Sequence, residues 1–197
     1  DSKGSNCSKI TKQESEKVFA EEKDLILLAM ALCSTVTTHK ETGAFAGESP
    51  DEVALAQSAK ANGFSLKFRG LDTCIMESAG NHEEWVGEFE VLAQLEFTSS
   101  RRRMDTLIRC PRNGKILLFC KGADSVMFSR TDINSGELEG ETDRSTRHGR
   151  DLNALRNHLS WFSQQGLRTL VFSYFEVSED MAKEWMVKWH DAKAAVY

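Results

Sequence analysis

The sequence predicts an α+β layer fold, because strand-like segments occupy the middle of the chain and helical segments lie before and after them. Its 197 residues, 40% hydrophobic and 28% charged with 2 prolines, suffice for one domain with its own core, or for two small ones. The chain has no repeat of fixed period, so one packed unit is the simplest interpretation. We expect a disordered tail over residues 1–13 and a single domain over residues 14–197.

Two helices are predicted in the first third of the chain. The apolar run LILLAMALCSTV, residues 25–36, indicates a helix that is buried on most of its sides. In the segment GESPDEVALAQSAKANGF, Ser49 suits the N-cap and Pro50 suits the first helical position. Gly63 suits the end of this second helix.

Five strands are expected next. They are FSLKF, LDTCIMES, WVGEFEVLAQLEF, MDTLIRC and KILLFC, beginning at residues 64, 71, 85, 104 and 115. The turn sequence PRNG separates the last two, so these two strands are predicted to form a hairpin.

The last third of the chain is predicted to return to helices. Residues 131–150 are polar and contain glycines, which is typical of a surface loop. A helix follows in DLNALRNHLSWFSQQG and ends at Gly166, a strand follows in LRTLVFSYFEV, and Ser178 caps the final helix. One face of that final helix is predicted to be buried, through Met181, Ala182, Trp185, Met186 and Trp189.

Composition excludes several classes of function. The net charge of −5 and the pI near 5.6 argue against nucleic acid or an anionic membrane as partner. The five cysteines form no C-x-x-C pair and the five histidines are scattered, so we expect a reducing cytosol and no metal site. The longest apolar run is too short to cross a bilayer and the opening lacks a signal-peptide core, so we expect the chain as given to be soluble.

The familiar phosphate-binding and nucleophile motifs are absent from the sequence. It contains no G-x-x-x-x-G-K-[ST], no G-x-G-x-x-G and no G-x-S-x-G. Any chemistry must therefore come from polar residues that interrupt regular patterns at the ends of strands and helices.

Three such residues suit a nucleotide. Lys121 follows the apolar run ILLFC, and the small residues Gly122 and Ala123 after it let a flat ligand approach the sheet edge. Arg168, at a predicted strand start, can donate to phosphate or ribose oxygens. Phe97 can offer its ring face to a purine.

Each residue also has a plain structural explanation. A lysine at a strand end is usually solvated, an arginine often pairs with a carboxylate, and a phenylalanine in a strand usually lies in the core. Glu52 stands three residues after Ser49, so its side chain can complete a capping box on the Ser49 backbone amide. The run Arg101–Arg103 suits either a solvated turn or a phosphate.

Four ordered motifs resemble one known family. SPDEVAL, FTSSRRRM, CKGADSVMF and GLRTLVFSY, over residues 49–174, resemble the nucleotide-binding domain of type IV P-type ATPases, the phospholipid flippases. The resemblance extends more weakly to the first and last helices. It implies an α+β fold with a twisted, mainly antiparallel sheet flanked by helices.

The resemblance also implies a role for individual residues. Glu52 would approach the adenine amino group, and Phe97 would stack on the ring. Ser99 and Lys121 would line the pocket, and Arg168 would reach toward phosphate. The residues expected to bind ATP are thus Glu52, Phe97, Ser99, Lys121, Gly122 and Arg168.

In the family, this domain carries ATP to an aspartate of a D-K-T-G-T motif in a neighbouring domain, where a covalent aspartyl-phosphate forms. That motif does not occur in this sequence. The resemblance therefore implies an excised, monomeric ATP-binding domain without catalytic residues, which holds ATP but does not hydrolyse it. Mg²⁺ would act only in the full-length enzyme.

The family also supplies expectations about partners and location. The partners would be the phosphorylation and actuator domains of the same chain, and the family allows an accessory membrane subunit through the membrane domain. The chain would be a cytosolic domain of an integral membrane protein.

Several departures from the family pattern and two alternatives accompany this interpretation. RRRM stands in place of the usual R-K-R-M, Thr106 stands where a small or apolar residue is commoner, and Phe175 stands where an arginine is frequent. Asp105 stands where small or apolar residues are commoner and could alter the charge near the pocket. The equivalent domain of a cation-pumping P-type ATPase shares KGA and GLR, although SPDE and the aspartate of CKGAD favour the lipid-flipping branch. A module that binds RNA through SSRRRM is the other alternative, and the acidic composition disfavours it.

Overall fold

The computed structural model describes residues 12–78, 85–130 and 147–195. Its helices are α1 (Lys12–Leu32), α2 (Pro50–Ala61), α3 (Asp124–Met127), α4 (Arg147–Gln164) and α5 (Glu179–Ala194). Its strands are β1 (Thr37–Thr38), β2 (Phe45–Ala46), β3 (Phe64–Arg69), β4 (Thr73–Ser78), β5 (Gly87–Leu95), β6 (Arg103–Arg109), β7 (Ile116–Gly122) and β8 (Val171–Val177).

Strands β3 to β8 form one six-stranded sheet in sequence order, and every neighbouring pair is antiparallel. Strands β1 and β2 form a separate two-stranded sheet. The connection from β7 to β8 is long and contains α3 and α4. The predicted α+β class, with an antiparallel sheet flanked by helices, is confirmed.

Helices cover both faces of the sheet. On one face, α1 supplies Leu28 and Leu32 to a core that also contains Phe89 and Phe119 of the sheet. On the other face, Ala182 of α5 and Leu159 of α4 pack in two smaller cores. Because side chains alternate along a strand, Lys121 points to the same face as Phe119, toward α1 and α2.

The predicted ends of α2 are confirmed. Ser49 has an extended backbone, and its hydroxyl accepts a hydrogen bond from the Glu52 amide at 3.4 Å. Pro50 begins the helix, Asn62 is the C-cap and Gly63 follows it with φ of 98°. Glycine adopts this left-handed conformation without the steric cost that a Cβ would bring.

Several boundaries differ from the prediction, among them the start of α1 at Lys12. Helix α1 ends at Leu32, so residues 33–36 are not helical. Strand β5 is shorter at both ends than its predicted segment. Strand β8 begins at Val171 rather than at Leu167, because Val171 pairs with Gly122, the last residue of β7, and residues before Val171 find no β7 residue to pair with.

The apolar face of α5 is predicted to be buried, and this is wrong for two of its residues. Met181 and Trp185 are exposed, as is Phe162 of α4. The ring of Trp185 stacks on that of Trp189 at 5.5 Å between centroids. Each helix therefore contacts the sheet through a narrower stripe than its sequence pattern suggests.

Two predictions lie mainly outside the described residues. They concern the tail over residues 1–13, of which 1–11 are not described, and the loop over residues 131–150, of which 131–146 are not described. Helix α4 begins at Arg147, four residues before its predicted start. Among the helices that the structure describes, none is both long and apolar enough to cross a bilayer.

Candidate functional site

The candidate site lies at one end of the six-stranded sheet. At this end β5 and β7 stop while β6 and β8 start, since Leu95 pairs with Asp105 and Gly122 pairs with both Arg103 and Val171. Antiparallel strands therefore bring the Phe97–Ser99 loop, Lys121 and the segment before β8 to the same edge. Helix α2 adds Glu52 to this group through a direct contact.

That contact is a buried ion pair between Glu52 and Lys121. The ammonium Nζ of Lys121 lies 2.6 Å from Oε1 of Glu52, and the two residues are 5% and 7% exposed respectively. The other carboxylate oxygen, Oε2, accepts two hydrogen bonds of 2.8 Å, from the backbone amide and the hydroxyl of Thr35. The carboxylate is thus directed at Lys121 and Thr35 rather than at the capping-box position on Ser49.

The surroundings of the Glu52 carboxyl favour its charged form. Burial alone would raise the pKa of the Glu52 carboxyl, but hydrogen bonds from Lys121 and Thr35 together with the Lys121 charge outweigh it and lower the pKa below the ordinary 4.5. Nearby, burial raises the pKa of the Cys33 thiol to about 11, against the opposing effect of the Lys121 ammonium. The site therefore contains a carboxylate anion and a neutral thiol at pH 7.

Gly122 is required by the packing of β7 on β6. A Cβ at Gly122 would lie 2.7 Å from the carbonyl oxygen of Arg102 and 2.7 Å from Cβ of Arg103, both far inside normal contact. The next residue, Ala123, donates its amide to the same Arg102 carbonyl at 3.1 Å. This reason for a glycine is independent of ligand access, on which the sequence prediction rested.

The loop between β5 and β6 carries two of the predicted residues. Phe97 is 57% exposed and Ser99 is also exposed. The loop closes through Arg102, whose amide donates to the Thr98 carbonyl at 2.7 Å and whose φ is 50°. Because the Arg102 carbonyl bonds to Ala123, the loop that carries the Phe97 ring is attached to the end of β7.

Arg168 lies in the exposed segment between α4 and β8. Its guanidinium Nη2 lies 2.9 Å from Oδ2 of Asp51, the residue next to Glu52. Such a solvent-exposed pair contributes about 0–1 kcal/mol to stability. Arg168 is thus held beside the first turn of α2 by a contact weak enough to be exchanged for another anion.

Arg101, Arg103 and Asp105 form an ion-pair cluster away from the Glu52–Lys121 pair. Arg101 and Arg103 both pair with the Asp105 carboxylate, the latter at 3.3 Å. Asp105 is the register partner of Cys120, whereas Met104 is the partner of Lys121, so Asp105 points to the opposite face of the sheet. Asp105 therefore makes no contact with the Glu52–Lys121 pair, but its charge still acts on the site, since it adds to the burial that raises the pKa of the Cys33 thiol.

Two residues of the site, Thr35 and Arg69, were not predicted from the sequence. Thr35 donates twice to Glu52, which is 17 positions away, and Arg69 bonds the backbone on either side of Thr35. A threonine after an apolar helix and an arginine at a strand end are common in any domain. Their sequence context carries no signal that would have identified them.

Two surface depressions lie away from the candidate site. One of about 530 Å³ is lined by residues of β2 and α2 that include Phe45 and Lys60, and one of about 180 Å³ lies between α1 and β8 beside Phe172. Their linings include none of the six predicted ATP-binding residues. Within the described ranges, no three His, Cys, Asp or Glu side chains are grouped so as to hold a metal ion.

The chain belongs to the family described as P-type ATPase, cytoplasmic domain N, whose model matches residues 22–194. It is 39% identical over 176 residues to "Phospholipid-transporting ATPase DNF1" of Chaetomium thermophilum, a match covering 85% of this chain and 10% of that protein. It is 33% identical to "Probable phospholipid-transporting ATPase 7" of Arabidopsis thaliana over 176 residues, 87% of this chain and 13% of the relative.

A human relative gives the same result. "Probable phospholipid-transporting ATPase IM" of Homo sapiens is 33% identical over 172 residues, 86% of this chain and 13% of the relative. The resemblance to the nucleotide-binding domain of phospholipid-transporting P-type ATPases is thereby confirmed. The chain spans only about a tenth to an eighth of the length of these three curated relatives.

Proposed function

We propose that the chain binds ATP at the end of the sheet where β7 stops, with the base near Glu52, Lys121 and Phe97 and the phosphates toward Arg168. The buried Glu52–Lys121 pair is the observation that carries this proposal. Hydrophobic residues in place of a buried ion pair are often neutral or stabilising. A pair kept at a sheet end, next to an exposed aromatic ring, therefore favours a ligand site.

The residues fit the parts of an adenine nucleotide. The Glu52 carboxylate is an acceptor that suits an exocyclic amine, and Lys121 supplies a donor beside it. The exposed face of Phe97 suits stacking on a flat base. Arg168 can exchange the Asp51 carboxylate for a phosphate, because the two anions accept the same forked donors.

The proposal for the whole protein is an ATP-driven phospholipid translocase. In it, this domain presents the γ-phosphate of ATP, bound with Mg²⁺, to an aspartate of a phosphorylation domain, and an actuator domain and an accessory membrane subunit complete the assembly. The isolated chain binds ATP without hydrolysing it. A phosphate-release assay on the isolated chain tests this last point, and steady release above a buffer control would contradict it.

The direct test is an NMR titration of the chain with ATP, with and without Mg²⁺. We expect saturable shifts at Glu52, Phe97 and Lys121 with a Kd of about 0.1–1 mM, since one open domain offers only part of a closed site. Phe97→Ala should weaken binding about tenfold, because stacking on an aromatic ring contributes about 1–3 kcal/mol per base. Absence of saturable shifts at millimolar ATP would overturn the proposal.

Matched controls separate the base from the phosphates. Phe175 is 51% exposed on β8 and pairs with Leu118, farther from the sheet end, so Phe175→Ala should leave the Kd unchanged. Arg168→Ala should weaken ATP binding but leave adenosine binding intact. Equal effects of Arg168→Ala on ATP and on adenosine would contradict the assigned orientation.

A further inference from the structure

The Glu52 carboxylate is held by a second residue besides Lys121. Thr35 lies in the short segment between α1 and β1, outside any regular element. Its amide nitrogen and its hydroxyl each lie 2.8 Å from Oε2 of Glu52. With Lys121 on Oε1, the two oxygens are bonded from two directions, and this fixes the plane of the carboxylate.

The backbone around Thr35 is itself fixed by Arg69, the last residue of β3. Its Nε donates to the carbonyl of Val36 at 2.8 Å, and its Nη2 donates to the carbonyls of Ala31 and Leu32 at 3.1 and 3.0 Å. The last carbonyls of a helix lack partners within the helix and carry partial negative charge. Arg69 therefore closes the C-terminal end of α1 and bonds the chain on both sides of Thr35.

We propose that Thr35 is a positioning residue of the nucleotide site, which orients the Glu52 carboxylate toward the ligand, and that Arg69 holds Thr35 in place for this role. The proposal rests on the proposed ATP binding. Thr35 acts through Glu52 and needs no contact with the nucleotide. Its contribution is to spare Glu52 the loss of side-chain freedom at the moment of binding.

The local chain does not need the Thr35 hydroxyl for its own structure. The neighbouring Ser34 hydroxyl bonds the Ala31 carbonyl at 2.9 Å and so serves the end of α1. The Thr35 hydroxyl instead reaches an acidic side chain of another helix. A hydrogen bond to a charged group is stronger than one between neutral groups, so the hydroxyl adds to Lys121 and the Thr35 amide in fixing the orientation of the carboxylate.

The test compares Thr35→Val, which removes the hydroxyl at nearly constant shape, with Thr35→Ser, which keeps it. For each variant, the Glu52 pKa is measured from the side-chain carboxyl ¹³C shift against pH, and the ATP Kd from the NMR titration. Thr35→Val should raise the Glu52 pKa toward 4.5 and weaken ATP binding about five- to tenfold. Thr35→Ser should stay within about twofold of the wild-type Kd.

Two further variants complete the design. Thr37→Val removes a nearby hydroxyl that bonds the Ala46 carbonyl at 3.4 Å rather than Glu52, and it should leave both the pKa and the Kd unchanged. Arg69→Lys keeps the charge but cannot bond both sides of Thr35, so it should weaken ATP binding in the same direction as Thr35→Val. Thr35→Ala is a second hydroxyl-free variant in case Thr35→Val folds poorly.

The outcomes are distinguishable. If the wild type binds ATP and Thr35→Val changes neither the pKa nor the Kd, the role of Thr35 is overturned while the proposed function stands. If Thr35→Val shifts the pKa but not the Kd, Thr35 is merely structural and the inference fails. If the wild type does not bind ATP, the proposed function fails first, and the inference fails with it.

Discussion

Replacing Lys121 by methionine removes the ammonium group and keeps most of the apolar length of the side chain. In the native protein the Lys121 Nζ lies 2.6 Å from Glu52, and both residues are almost fully buried. The variant leaves the Glu52 carboxylate in the core with only the two Thr35 donors. We expect a large loss of folding free energy from this single substitution.

The magnitude follows from what remains of the site. Removing one partner of a buried ion pair costs about 3–5 kcal/mol, because the other charge is left uncompensated. Since Thr35 still donates twice to Glu52, the lower end applies, about 3 kcal/mol. For a domain of this size, that loss corresponds to a decrease of about 6–12 °C in Tm.

Urea unfolding followed by circular dichroism measures this loss by linear extrapolation. The matched control is Lys115→Met, because Lys115 precedes the same strand and pairs with Glu176 at 2.9 Å with both side chains exposed. An exposed pair contributes little, so the control should lose less than about 0.5 kcal/mol. A loss below about 1 kcal/mol for Lys121→Met, or equal losses in both variants, would refute the argument.

Three further predictions concern the same end of the sheet. Because the pKa of Glu52 is lowered on folding, the charged carboxylate stabilises the folded protein above pH 4.5, and this stabilisation is lost as the pH falls through the folded pKa. Between about pH 6 and 3, urea unfolding should therefore show a smaller decrease in the free energy of unfolding for Glu52→Gln than for wild type. Gly122→Ala places a Cβ 2.7 Å from Arg103 and should cost about 1–3 kcal/mol by overpacking; a neutral effect would contradict the close contact. The pKa of Cys33 is raised to about 11, so the protein should lose stability as the pH rises above 9.0 toward 11. For the same reason Cys33 should react with iodoacetamide far more slowly in native protein than in urea, which mass spectrometry of its peptide can test.

Local signals in the sequence were sufficient to predict those helix ends and turns that depend on only a few neighbouring residues. The ends of α2 depend on Ser49, Pro50 and Gly63, each of which satisfies or frees a backbone group within a few positions. The hairpin of β6 and β7 followed from the turn sequence PRNG between two apolar runs. These features need no knowledge of the rest of the chain.

Features that depend on a distant partner could not be predicted in this way. The start of β8 at Val171 is decided by the end of β7, which lies 49 residues earlier. The exposure of Trp185 depends on how much of α5 the sheet can cover. The Thr35–Glu52 contact joins the segment after α1 to the first turn of α2, and only tertiary packing brings these two parts of the chain together.

The six candidate ATP-binding residues also show features that the sequence predicted and features that depend on distant parts of the chain. Glu52 and Lys121 are in contact, as expected for residues of one site. Gly122 owes its identity to the backbone of β6, and Arg168 bonds Asp51, a carboxylate that the sequence prediction had not considered as its partner. The resemblance grouped Glu52 with Lys121, and tertiary packing brings these two side chains into a direct ion pair.

The double variant Glu52→Gln/Lys121→Met separates the structural and the functional roles of the ion pair. Replacing both charges removes the penalty of an unpaired one, so the double variant should recover most of the stability that Lys121→Met loses. If the pair served stability alone, ATP binding would recover as well. If the pair is retained for the nucleotide, the refolded double variant should still fail to show saturable ATP shifts. Recovery of wild-type affinity together with stability would leave the buried charges without a role in binding.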